Sequence, residues 1–247
     1  MADHFGCIGV PVASVDELVA VAGRAAETAE GVSVGRATYY RYTDPSGAEL
    51  WVQADAREQF LGINPHFVGR GVLDVGLVGA MHRRQEGVMD GAFHGWVKPD
   101  EGGDSGLHPI LFDSPCALTH ADLTFPHRAT VQVAAFPHHA QLFPSRELYD
   151  SGAIDAPGFA AQSFVPAGLF DASEEPEAVA VMTGVITEVE LRTNRLTGAQ
   201  FWWLLVESLG GTLDVVAAQD DFPSAPVEGG VIYGTFWLSG RLLPTEA

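Results

Sequence analysis

Histidine is the side chain of this sequence best suited to chemistry, and there are nine in the 247 residues. Five of them (His108, His120, His127, His138 and His139) fall in one stretch of the middle third. His120 and Asp122 stand two residues apart. On a strand that spacing points both side chains the same way, as two ligands of a divalent metal require. Nucleophile signatures are missing: no Gly-x-Ser-x-Gly elbow occurs, and Ser114 precedes Pro115-Cys116 in a turn with no partner base assigned to either. Gly6-Cys7-Ile8-Gly9 is too short for a nucleotide loop, and neither a Walker motif nor a dinucleotide fingerprint is present. Cys7 and Cys116, the two cysteines, are too few for a disulfide framework or a thiolate metal site and read as buried apolar residues.

Aromatic side chains form the other candidate surface. Trp202 and Trp203 are neighbours on one predicted strand, so one faces inward and the other outward. The outward ring is either covered by the rest of the chain or is a platform for a small ligand or a second copy. Tyr233 and Trp237 share a predicted face and pose the same question.

The elements that must position these residues are mostly strands. An apolar run from Phe5 to Val12 predicts a first strand. Ser14 with Glu17 has capping-box spacing, and Val15, Leu18, Val19, Ala22 and Ala26 follow the rhythm of a buried helical face that Gly31 would cap. Strands at 37–43 and 49–54 follow, joined by Asp44-Pro45-Ser46-Gly47, with a further one near 59–68. The middle offers strands near 72–82, 88–97, 108–113, 116–124 and 129–136, with a Gly/Asp-rich loop from Pro99 to Gly106. An irregular stretch, 145–176, reads as a linker ending in the acidic run Asp171 to Glu177. The last third alternates from Val179 to Leu191, then gives strands at 201–207, 212–218 and 231–243 with glycines at the corners. The expected fold class is α+β, predominantly β. It comprises a βαβββ N-terminal module with a β-rich segment (1–144), the linker (145–176) and a small OB-like C-terminal barrel (177–247).

The opening seventy residues resemble half of a vicinal-oxygen-chelate protein, the superfamily of glyoxalases and bleomycin-resistance proteins. The likeness rests on the β-α-β-β-β order over residues 4–68, on the Asp44-Pro45-Ser46-Gly47 turn, and on His4 where the family's first strand opens with a metal-binding histidine. The resemblance implies a metal-binding glutamate four residues after the turn glycine, where this chain has Trp51; Glu49 lies two residues earlier, about 6.6 Å along a strand. It also implies a second module supplying two more ligands, which residues from Gly71 onward do not repeat.

Composition bounds the partners. Thirty-two acids against thirteen bases give a net charge of −19, with Lys98 the one lysine. No basic stripe exists to neutralise a phosphate backbone, and acidic surfaces are repelled by anionic lipid, so nucleic acid and membranes are excluded as partners. The start of the chain lacks the basic and apolar regions of a signal peptide, and no apolar run approaches about 18 residues, so the expected location is the cytoplasm. The expected function is a non-catalytic module binding a small ligand or a protein partner, a second copy among them, without cofactor. Its pocket is expected where Tyr40, Trp51 and His66 converge. The alternative is a lyase, isomerase or dioxygenase of the chelate superfamily, with a divalent metal on His4, Glu49, His120 and Asp122.

Overall fold

The protein, as a computed structural model, is described over residues 4–82, 87, 89–151, 157–169 and 176–244. It is α+β and predominantly β. The predicted first strand is absent. Phe5–Val12 instead holds a short 3-10 helix, Gly6–Ile8, closed by Gly9 at φ 71°. Its carbonyls are met by side chains rather than by a neighbouring strand: Asn194 Nδ2 donates to Ile8 O at 2.9 Å, and Thr197 Oγ1 donates to Gly9 O. The apolar run is thus buried as a wedge, which periodicity cannot distinguish from a strand.

Helix α1 (Val15–Ala26) begins as predicted. Ser14 Oγ accepts from Glu17 N at 3.3 Å and Glu17 Oε2 accepts from Ala13 N at 2.8 Å, a reciprocal cap. Its buried face runs through Val21, Ala22 and Ala25, whereas Val15 and Val19 are exposed. Val15 and Val19 lie at one edge of the apolar arc and Val21 and Ala25 at the other, so the spacing selects the arc but not which side of it packs. Gly31 is no cap; it lies in β1 (Glu30–Val34). Strands β2 (Ala37–Thr43), β3 (Ala48–Ala54) and β4 (Phe60–Phe67) complete a four-stranded antiparallel sheet in sequence order. The β2–β3 turn needs its glycine. Gly47 has φ 94°, its N–H donates to Asp44 O at 2.9 Å, and a Cβ there would sit 2.8 Å from Phe67 and from Val68 O.

This sheet has two different faces. Ala48, Leu50 and Phe67 form one apolar layer with Val21 and Ala25 of α1. Glu49, Trp51 and Gln53 point the other way, opposite His66, Asn64 and Gly62 of β4. That polar face is turned toward the remainder of the protein.

The remainder is built on nine strands: β5 (Val72–His82), β6 (Gly91–Pro99), β7 (Gly106–Ser114), β8 (His127–Phe143), β9 (Ser163–Val165), β10 (Val179–Thr193), β11 (Gln200–Ser208), β12 (Gly211–Ala218) and β13 (Val231–Leu242). β8 and β13 form a long antiparallel ribbon from Val131↔Leu242 to Phe143↔Val231. One half of the ribbon closes a ring through β5, β6 and β7; the other closes a second ring through β12, β11 and β10. Closure removes most exposed edges. One continuous apolar core, including Val75, Phe112, Val133, Met182, Val215 and Phe236, fills both rings. The strand predicted at 116–124 is instead a 3-10 helix, Ala117–His120, followed by a turn. Within 145–176 lie a short helix α2 (Arg146–Asp150) and β9; residues 152–156 and 170–175, with most of the acidic run, fall outside the described residues. No helix among the described residues is long and apolar enough to cross a membrane.

Candidate functional site: a cleft over a buried polar layer

A cleft of about 710 Å³ opens between β4 with the N-terminal segment on one side, and β13 with the ends of β6, β7 and β10 on the other. Trp237 forms an apolar wall and Ser239 lies at its buried floor. His138 reaches the cleft because β8 bulges there: Thr235 pairs with His139 and Phe236 with Pro137, leaving His138 as the extra residue. Such a bulge re-aims a side chain.

His4 is packed against both His138 and Trp237. Its ring lies 4.5 Å from Trp237 with planes 7° apart, and 5.2 Å from His138 with planes 9° apart. The two Nε2 atoms are 3.1 Å apart. One nitrogen therefore donates to the other. A zinc ion between them along that line would require two bonds of about 2.0–2.1 Å each, more than this separation allows. Burial, then the neighbouring His138, lowers the His4 pKa to about 4. Burial lowers that of His138 as well, against an opposing pull from Glu177. Both rings are neutral at physiological pH.

Among the described residues, the charged groups lining the cleft are acids: Asp90, Asp113 and Glu177. Asp113 Oδ2 accepts from Trp237 Nε1 at 2.6 Å, which fixes the indole. Asp90 Oδ1 accepts from Gln53 Nε2 at 2.7 Å and Asn64 Nδ2 at 2.6 Å. No lysine or arginine lines it among the described residues.

Beneath the cleft runs a buried polar layer. Glu49 is fully buried and ion-paired with Arg41 (2.5 Å) and Arg241 (3.2 Å), and it accepts from Trp51 Nε1 at 2.9 Å and Thr43 Oγ1 at 3.0 Å. Burial alone would raise its pKa; His66, Arg241, Arg41 and the Trp51 bond outweigh this and hold it below the usual range. His66 is also fully buried, and desolvation, which Glu49 opposes, brings its pKa down to about 4. Its Nδ1 is 2.8 Å from Ser239 Oγ and its Nε2 2.9 Å from Gln132 Oε1. Gln132 Nε2 in turn donates to Asp214 Oδ2 at 2.9 Å. Asp214 further accepts from Gly71 N, Arg70 N and Trp203 Nε1 at 2.8–3.0 Å.

Of the expected pocket residues, Trp51 and His66 share this layer, but Tyr40 lies on the opposite face of the sheet, its hydroxyl bonded to Glu58. The expected metal ligands are dispersed. His4 is at the cleft, Glu49 is held by two arginines, His120 packs edge-on to Phe93 at 6.1 Å, and Asp122 is exposed in a turn. His120 and Asp122 share no strand face, because the segment is not a strand. No group of three or more His, Cys, Asp or Glu among the described residues is arranged to hold a metal. Trp203 is fully buried against Phe67, with Arg192 4.1 Å above its ring, and is not a platform. Trp202 is half-buried against the ring core, and Tyr233 stacks on Phe159 beside a second depression of about 610 Å³. Trp237 alone of the four meets the main cleft. Sequence reasoning passed over the pairings of Ser239 with His66, Gln132 with His66 and Asp214, Asp113 with Trp237 and His138 with His4, since they span up to 173 residues. No protein-family model, curated protein or solved structure matches the chain.

Proposed function

We propose that the protein is a small-ligand-binding module and that its cleft takes an organic cation, an amine or guanidinium carrying an apolar group. The observation that carries the reading is the lining: an indole wall beside three carboxylates, with both histidines neutral and no basic side chain among the described residues. A cation gains from a carboxylate, whereas an anion finds no basic side chain among the described lining residues. The volume, about 710 Å³, falls within the range of small-molecule sites.

Two fold likenesses belong to the same proposal. The helix α1 followed by antiparallel strands is what supports a vicinal-oxygen-chelate-like half at residues 4–68, with a 3-10 turn standing where its first strand would be and a fourth strand after the helix, and the ring through β10–β13 supports an OB-like barrel whose fifth strand is β8. The metal-dependent alternative finds no support in the placement of His4 and Glu49.

The test pairs phenethylamine with phenylacetate in a thermal-shift titration. The amine should raise the melting temperature in a saturable way, the acid should not, and Trp237→Ala with Asp113→Asn should abolish the effect. Equal shifts with both probes, or none with either, would refute the reading.

A further inference from the structure

The floor of the cleft carries a second chemistry. Asp214 is a carboxylate and can only accept, so Gln132 must present its amide N–H₂ to Asp214 and its Oε1 to His66. An oxygen facing His66 Nε2 requires a proton on that nitrogen. Nδ1 is then the lone pair, and it faces Ser239 Oγ at 2.8 Å, so the serine hydroxyl is the donor. The chain Ser239–His66–Gln132–Asp214 therefore runs in one direction, with a hydroxyl at a cleft, an imidazole poised to take its proton, and a third group fixing the tautomer. Those are the roles of a nucleophile, a base and an orienting residue.

We propose that Ser239 is a nucleophile with His66 as its general base, and that it accepts an acyl group from a small ester held in the cleft. The proposal rests on the cleft being a ligand site. Ser239 Oγ attacks the ester carbonyl while its proton passes to His66 Nδ1. The carbonyl-to-alkoxide bond breaks, and the departing alkoxide takes that proton from His66 and leaves as the alcohol. Water then attacks the acyl-serine by the reverse path: His66 takes a proton from the water and returns it to Ser239 Oγ as the carboxylic acid leaves. Gln132 and Asp214 are positioning residues. The groups facing His66 are Glu49 on β3, Arg41 on β2 and Arg241 on β13, with Asp214 reached through Gln132. His66 is accordingly neutral, and able to accept a proton, throughout the range above its lowered pKa.

The test is labelling with phenylmethylsulfonyl fluoride, read by intact mass and peptide mapping, and a p-nitrophenyl acetate burst. The wild-type chain should gain one sulfonyl group on Ser239, and release about one equivalent of nitrophenolate in the first turnover; Ser239→Ala, shown to be folded by circular dichroism, should do neither. The labelling rate should stay constant from pH 8 to pH 6, where a histidine at its ordinary 6.5 would lose much of its free base. No adduct on folded wild-type protein, an adduct mapped to another residue, an equal rate on urea-unfolded chain, or a rate that halves near pH 6.5 would overturn the proposal. If the amine still shifts the melting temperature in that case, the ligand site stands and only the nucleophile falls; if it does not, both fall.

Discussion

Asp214→Asn is the sharpest probe of the layer that joins the N-terminal sheet to the two rings. Asp214 is fully buried and accepts four hydrogen bonds, two on each oxygen: Arg70 N and Trp203 Nε1 on Oδ1, Gly71 N and Gln132 Nε2 on Oδ2. Asparagine keeps one of these oxygens and turns the other into a donor. If the new N–H₂ takes the Oδ1 position, the buried Trp203 Nε1 and the half-buried Arg70 N lose their acceptor. If it takes the Oδ2 position, Gln132 can flip to accept from it, and Gly71 N alone is orphaned. Each orphaned donor costs about 1–3 kcal/mol, so the milder outcome predicts a loss of about 1–3 kcal/mol and the harsher one about 2–6 kcal/mol. For a chain of this size the milder loss lowers the melting temperature by roughly 2–12 °C. The flip has a second consequence. Gln132 would turn its N–H₂ toward His66 Nε2, forcing the proton onto Nδ1 and making Ser239 Oγ the acceptor. Urea unfolding should show a lower midpoint with an unchanged slope, and the folded variant should lose Ser239 labelling. A stability change under about 0.5 kcal/mol, less than a single orphaned donor, would refute the four-acceptor role.

Three further expectations follow from single positions. His66 has a folded pKa of about 4 against 6.5 for the ordinary group, so the unfolded chain binds the extra proton between those values. Stability therefore rises with pH across that window and is lost on acidification through it, by about 3 kcal/mol for this group; His66→Gln should reduce the slope of a urea-midpoint profile measured from pH 7 to pH 4, His4 supplying a like contribution that remains, and an unchanged slope contradicts the assignment. Gly47→Ala should cost about 1–3 kcal/mol, since φ 94° disfavours any side chain and the added carbon meets Phe67 and Val68 O at 2.8 Å; a neutral result in thermal unfolding would contradict the turn geometry. Gly23→Ala should stabilise by about 0.8–1 kcal/mol, because this exposed position of α1 has nothing within 4 Å of the new carbon and alanine is the better helix former; a lower melting temperature would contradict the helix assignment there.

Local pattern carried much of the secondary structure. The start of α1 was legible because Ser14 and Glu17 sit next to the backbone groups they bond. The strands read at 37–43, 72–82 and 179–191, the last continuing to Thr193, and the hairpin glycine at Gly47 were legible for the same reason, since alternation and turn chemistry act over a few residues. Phe5–Val12 was misread because an apolar run says only that it is buried, not whether a strand or a wedge buries it, and 116–124 because so short a mixed segment has no period that separates a strand from a 3-10 turn. The face of α1 shifted toward Val21 and Ala25 because the apolar arc is wider than the contact, and only packing against the sheet decides which edge of it is buried.

Sequence by itself thus determined the acidic character, the β-rich class and the residues available for chemistry, all properties of composition and of neighbours along the chain. Only tertiary structure decided which of them meet. The ribbon of β8 and β13 brings Gln132 and Ser239 to His66, and a single extra residue in β8 turns His138 toward His4. Strand register and bulges set those meetings, and they are chosen by packing across the whole molecule, so no window of sequence contains them.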